Sequence, residues 1–266
     1  MHEIDNFIDP IRILSEHTSA KERYLHDDFI DLIKRIYQYE IFKPFLDFVI
    51  TACREKRLNF ALEVKGVLDL NEGNCKTIET RDVKNSGAQS KKYSITIWKI
   101  TPDVIIHEIS HMMEKETGVN LATDFVTALK TDLRNKANFS LTLEEAVKDV
   151  LITQVGAYPK DQVNSELFAR IFQLFAMSKE VMGKNKSYGF SVMDIYKAFP
   201  KIQAWIWDTV YSNLIPRIDV SVAQTSQNYI KPIEQIAQNW ANEAVPSFHV
   251  DKKDKRWSKS IKSIKD

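Results

Sequence analysis

The chain of 266 residues carries 37 Lys and Arg against 36 Asp and Glu, a formal net charge of +1, so bulk charge draws it neither to nucleic acid nor to an anionic membrane. At this length one large domain, or two closely joined ones, can bury a full core. Two cysteines, Cys53 and Cys75, build no disulfide framework and no Cys-x-x-Cys metal site, which fits a reducing compartment or a role without thiol chemistry.

The N-terminus, Met1-His2-Glu3-Ile4-Asp5, lacks a basic segment and a long apolar core, and no run approaches about 18 apolar residues. The expectation is a cytoplasmic protein, or one exported into a host cell without a Sec-type signal, with no stable membrane association. Over residues 20–54, Phe29, Leu32, Ile33, Ile36 and Tyr37 recur at helical spacing, and Phe42 to Ile50 continue apolar after a short break. From about residue 57 the pattern predicts strands at 58–64 and 76–83, with Asn71-Glu72-Gly73-Asn74 as the turn between them. A polar loop at 84–92 leads into a third strand at 93–100. Thr101-Pro102-Asp103 then breaks the strand and starts a helix, since proline suits the first helical turn, and Gly118 is a good helix stop.

Beyond Gly118 nearly everything to about residue 246 reads as helical. Tyr196, Phe199, Ile202, Trp205, Ile206 and Trp207 fall at helical spacing and are expected in the core. Residues 251–266 hold seven Lys or Arg against three Asp and few apolar groups, the composition of a mobile tail. The expected organisation is a helical region at 1–54, a central unit at 55–185, a second helical region at 186–250 and the tail at 251–266. The fold class is α+β and mainly α, with a small sheet and flanking helices.

Within the helix that starts at Pro102, His107-Glu108-Ile109-Ser110-His111 spells H-E-x-x-H. At 3.6 residues per turn the two histidines stand one above the other on one face, so two imidazole nitrogens can converge on a single ion. Three fixed residues in five are a small constraint, so context decides. Here the motif follows a strand and a helix start and sits among Val104, Ile105, Ile106, Met112 and Met113. Two imidazoles plus a carboxylate suit one Zn²⁺, with a water in the fourth position for a general base to activate. His2, His17, His26 and His249 have no paired ligand nearby.

The third ligand decides the kind of site. The extended form H-E-x-x-H-x-x-G-x-x-H requires Gly and His where this chain has Glu114 and Thr117, so that pattern is excluded. The best candidate for a carboxylate from a second helix is Glu166, just after Asn164-Ser165 as a helix cap and before an apolar surface of Leu167, Phe168, Ile171, Phe172 and Phe175. Ala169 would let that helix approach the first closely. Asp124, Asp132, Glu144 and Glu145 remain as fallback ligands, and Glu114, one further turn along the histidine face, reads as a group behind the ligands.

His107-Glu108-x-x-His111-x-x-Glu114-x-x-x-Gly118, followed some 50 residues later by Glu166-Leu167-Phe168-Ala169-Arg170-Ile171-Phe172, resembles the catalytic domain of the anthrax lethal factor family of gluzincin metalloproteases. The resemblance covers about residues 93–177. It implies a zincin-like core, Zn²⁺ held by His107, His111 and Glu166, and Glu108 as general base. A transition-state tyrosine of the family would correspond to Tyr158, eight residues before Glu166. Arg170 stands where the family often has an acid.

The groups themselves define a chemistry. Zn²⁺ lowers the pKa of a bound water, and Glu108 takes its proton as the water attacks a peptide carbonyl. If the strand at 93–100 lies at a sheet edge beside the metal, an extended substrate can pair with its backbone. The expected function is a zinc-dependent endopeptidase acting on a protein substrate, with a bacterial effector or toxin-like protease as the narrower expectation. The readings set against it are a helical interaction module that keeps the site without turnover, and a zinc hydrolase of a non-peptide substrate.

Overall fold

Apolar residues at helical spacing dominate the chain, and the architecture that results is α+β and mainly helical. The computed structural model describes residues 31–55, 57–62, 73–81, 89–97, 99–183 and 188–219, all within a unit spanning Met1–Ile233. The helical spacing expected at 20–30 and 220–246 and the tail at 251–266 lie outside the described residues. No helix among those described is long and apolar enough to cross a membrane.

Three strands form one sheet: β1 (Leu58–Leu62), β2 (Gly73–Arg81) and β3 (Gln89–Ile97), in the order β1-β3-β2. β3 runs parallel to β1, from Leu58 opposite Tyr93 to Leu62 opposite Ile97, and antiparallel to β2. It is therefore the central strand, which corrects the expectation of a sheet edge at 93–100. Its inward residues Tyr93, Ile95 and Ile97 are all buried, while Ser94 and Thr96 are half-exposed, the alternation of a strand with one covered face. β3 also begins four residues before the predicted start, inside the stretch read as a polar loop. There the antiparallel ladder with β2 extends beyond the start of β1, from Ile78 opposite Lys92 to Arg81 opposite Gln89. Backbone pairing holds that extension, so the sequence lacks the apolar alternation that would announce it. Likewise Gly73 and Asn74, read as turn residues, already belong to β2.

Residues 31–37 are helical and lead through a short turn at Glu40–Phe42 into α1 (Lys43–Arg54). After the sheet come α2 (Pro102–Thr117), α3 (Val126–Arg134), α4 (Leu141–Val147) and α5 (Val163–Ala176). Pro102 occupies the first turn of α2, and Gly118 ends the helix in the left-handed region at φ 62°, with its N–H on the Glu114 carbonyl at 3.0 Å. Only a residue without a Cβ adopts that conformation at no steric cost. Behind α2, Glu116 ties its last turn to the sheet and to the C-terminal part: Tyr93 donates to it at 2.6 Å, and Arg57 and Arg217 lie 3.3 and 3.2 Å from it.

α2 and α5 pack on each other more closely than any other two helices described. Phe168 and Phe172 of α5 are fully buried; Phe172 meets Phe45 of α1 at 4.5 Å between ring centroids, and Phe168 meets Trp205 at 6.1 Å. Tyr211 donates its hydroxyl to the Ile41 carbonyl. Contacts thus cross the boundaries drawn after residues 54 and 185, and the residues expected as core around Tyr196 to Trp207 are buried. Truncating one such aromatic to alanine costs about 3–5 kcal/mol, so this packing holds α5 firmly against α2.

Candidate metal centre

His107 and His111 project from one face of α2 with their rings nearly perpendicular, at 86°, and their Nε2 atoms 3.2 Å apart. Glu166, in the first turn of α5, turns one oxygen to each: Oε1 is 3.4 Å from His111 Nε2, and Oε2 is 3.6 Å from His107 Nε2. Two ligand atoms at about 2.0–2.1 Å from a tetrahedral zinc ion stand roughly 3.3–3.4 Å apart. The donor set therefore fits a divalent metal in separation and in chemistry. Among the described residues these three are the group able to offer one ligand atom each to a common ion.

Hydrogen bonds behind the imidazoles decide which nitrogen faces inward. His107 Nδ1 lies 3.1 Å from Gln173 Oε1, an atom that also accepts from Arg170 Nη1 at 3.3 Å. A carbonyl oxygen only accepts, so Nδ1 carries the proton and Nε2 presents its lone pair to the centre. His111 Nδ1 lies 3.2 Å from Ser165 Oγ, which gives its single proton to Glu114 Oε2. The hydroxyl must then accept from Nδ1–H, and His111 too directs Nε2 inward. Such partners fix ligand orientation and raise ligand basicity.

Burial pushes His107 down to about 3, and repulsion from His111 adds to this. Burial acts on His111 in the same sense, but hydrogen bonds and charge from Glu114, Glu166 and Glu108 outweigh it and raise that group to about 9. Without metal, one proton thus sits on His111 and faces the lone pair of His107; a metal ion would take its place. For Glu166 burial favours the neutral acid, yet His111, His107 and Arg170 together bring it below the usual carboxylate range. Glu108, 7% exposed on the next position of α2, is pushed up to about 7, first by burial and then by the charge of Glu166. A carboxylate at that value exchanges a proton near neutral pH.

Tyr158 follows the turn Val155–Ala157, and its ring lies under the Arg170 guanidinium at 5.8 Å from centroid to Cζ. Glu114 is held by Ser165 and stands 3.9 Å from His111 Nδ1, behind the ligand set. The fallback acids lie elsewhere. Asp132 accepts from the backbone N–H groups of Lys201 and Ile202 at the start of a short helix, Glu144 faces Lys136 at 3.5 Å, and Asp124 and Glu145 are exposed. Both thiols are raised to about 12 by burial, which keeps them protonated and poor ligands.

One expectation about α5 changes. Ser165 does not cap the helix, which begins two residues earlier at Val163; its hydroxyl serves His111 and Glu114 instead. Gln173 is not among the candidates, and Arg170 enters only as a departure from the family pattern. Their signal is positional, since 166, 170 and 173 fall on one helical face. No protein-family model, curated protein or solved structure matches this chain.

Proposed function

We propose that the chain is a zinc-dependent endopeptidase of the gluzincin type, with His107, His111 and Glu166 as ligands and Glu108 as general base. One observation carries the reading: two imidazoles with Nε2 turned inward meet a carboxylate at tetrahedral separations, beside a buried carboxyl group poised near neutrality. Two histidines and one carboxylate are the zinc ligands of a hydrolytic centre, in which a further position stays open.

Zinc bound there would lower the pKa of a water and draw charge from a peptide carbonyl. Glu108 would hold the proton of the attacking water and pass it to the departing amine. Tyr158, steadied by Arg170 against its ring, would donate its phenolic proton toward the oxygen that gains charge. An extended substrate would pair with β2 rather than with the strand at 93–100. β2 pairs with β3 alone among the described residues, and Cys75 on it lies near enough to Glu108 and Glu114 to feel their charge. The likeness of the two sequence segments to the lethal factor family supports the same reading.

The test compares wild type with Glu108→Gln in a proteome-wide search for new protein termini. New termini from wild type, absent with Glu108→Gln at equal zinc content, are expected. Equal cleavage by both proteins would remove Glu108 as base. Zinc-loaded wild type that generates no termini would overturn the peptidase reading in favour of an interaction module or a non-peptide hydrolase.

A further inference from the structure

We propose that Arg170 is the positioning residue of this centre, one guanidinium that sets His107 through Gln173 and flanks Glu166 directly. The inference rests on the reading of His107, His111 and Glu166 as metal ligands. Arg170 is 8% exposed, so its charge has left water and must be met by the groups around it. Among its described partners Gln173, Tyr158 and Glu166 belong to the site, and Gln154 anchors it from outside. Nη1 spends its two protons on Gln154 Oε1 and Gln173 Oε1, the planar group lies over Tyr158, and Nε stands 3.7 Å from Glu166 Oε2.

The consequence for His107 follows from the Gln173 amide. Its Oε1 accepts twice, from Arg170 Nη1–H and from His107 Nδ1–H. With Arg170 present, a flipped amide would turn an NH₂ group against the guanidinium. With Arg170 gone that penalty disappears, and a flipped amide would donate to Nδ1. The imidazole proton would then move to Nε2, and the lone pair would leave the centre. On the other side, Arg170 Nε and Glu166 Oε2 are both buried and both lack a hydrogen bond. They face each other just beyond bonding range, so the carboxylate oxygen has a cation beside it and, among the described residues, no hydrogen-bond donor. Lysine cannot reproduce this, because one ammonium cannot present two protons to the glutamines and also set a second, separate nitrogen beside Glu166.

Zinc affinity, measured by chelator competition, and the His107 tautomer, read by long-range ¹H–¹⁵N spectra of the metal-free protein, test the assignment in Arg170→Met, Arg170→Lys, Gln173→Met and the Arg170→Met/Gln173→Met pair. Each single change is expected to weaken zinc binding roughly 10–100-fold. The pair should lose less than the product of the two, since Arg170 acts in part through Gln173. Metal-free Arg170→Met should show His107 moving from Nδ1–H toward Nε2–H in spectra taken where His111 is neutral and no longer donates to His107 Nε2, with thermal melting as the control for folding. Wild-type affinity and tautomer in Arg170→Met would overturn the proposal, as would fully multiplicative losses. Should that variant fail to fold, the same two readouts on Arg170→Lys decide. If wild type holds no zinc, the metal-site reading falls, while the tautomer still reports whether Arg170 governs His107.

Discussion

Ser165→Ala probes the outer support of the centre without touching a ligand. Ser165 Oγ is the acceptor for His111 Nδ1–H at 3.2 Å and a donor to Glu114. Its loss leaves a buried N–H without its partner and frees the ring to turn. Removing such a support generally costs 10–100-fold in metal affinity, about 1.4–2.7 kcal/mol. Glu114 decides where in that range the effect falls. Its Oε2 stands 3.9 Å from the same nitrogen, too far for a hydrogen bond but within about 1 Å of one. A carboxylate that closes this gap replaces the hydroxyl, so Ser165→Ala alone should lose about tenfold and Ser165→Ala/Glu114→Gln up to about a hundredfold. Competition with a chromophoric chelator at fixed pH and salt reads both numbers. A double variant that binds zinc as tightly as wild type would refute the placement of these two groups behind His111.

Asp132→Ala should destabilise the protein by about 0.5–2 kcal/mol in denaturant titration, the cost of a lost helix cap, and leave zinc content unchanged; loss of metal would contradict its placement away from the site. Tyr158→Phe should retain zinc and lower kcat roughly 10²–10³-fold, and an unchanged rate would exclude the phenol from the reaction. Zinc binding at pH 7.5 should release about one proton, because His111, raised to about 9, is charged in the metal-free site whereas His107, lowered to about 3, is neutral. Affinity should accordingly fall as pH drops below about 9 and level off above it; calorimetry in buffers of different ionisation enthalpy that finds no proton release would contradict this.

Local signals in the sequence were enough for the first half of the site. A strand, a proline at a helix start, H-E-x-x-H and a glycine stop lie consecutively, and each acts over one or two turns, so β3, α2 and the left-handed end at Gly118 could be placed without tertiary knowledge. Glu166 was reachable only as one acid among several, singled out by its apolar helix and the family resemblance. Its meeting with the histidines depends on Phe168 and Phe172 packing against Phe45, Phe125 and Trp205, partners far away in sequence. Strand order was hidden for a similar reason, because β1 pairs in parallel with a strand more than thirty residues later. Ser165 misled because a serine near a helix start commonly caps it, whereas here the hydroxyl is turned to His111. Gln173 carried no motif and Arg170 only a departure from the family pattern; their placement appears only once Glu166 fixes which face of α5 looks at His107 and His111.

The most direct measurement is metal content and X-ray absorption of the purified protein, in wild type, His107→Ala/His111→Ala and Glu166→Ala. One zinc per chain is expected in wild type, with a first shell of nitrogen and oxygen and the scattering pattern of two imidazoles, no zinc in the histidine pair and greatly weakened zinc in Glu166→Ala. Stoichiometric zinc persisting in His107→Ala/His111→Ala, or a wild type that takes up none when zinc is supplied, would contradict it.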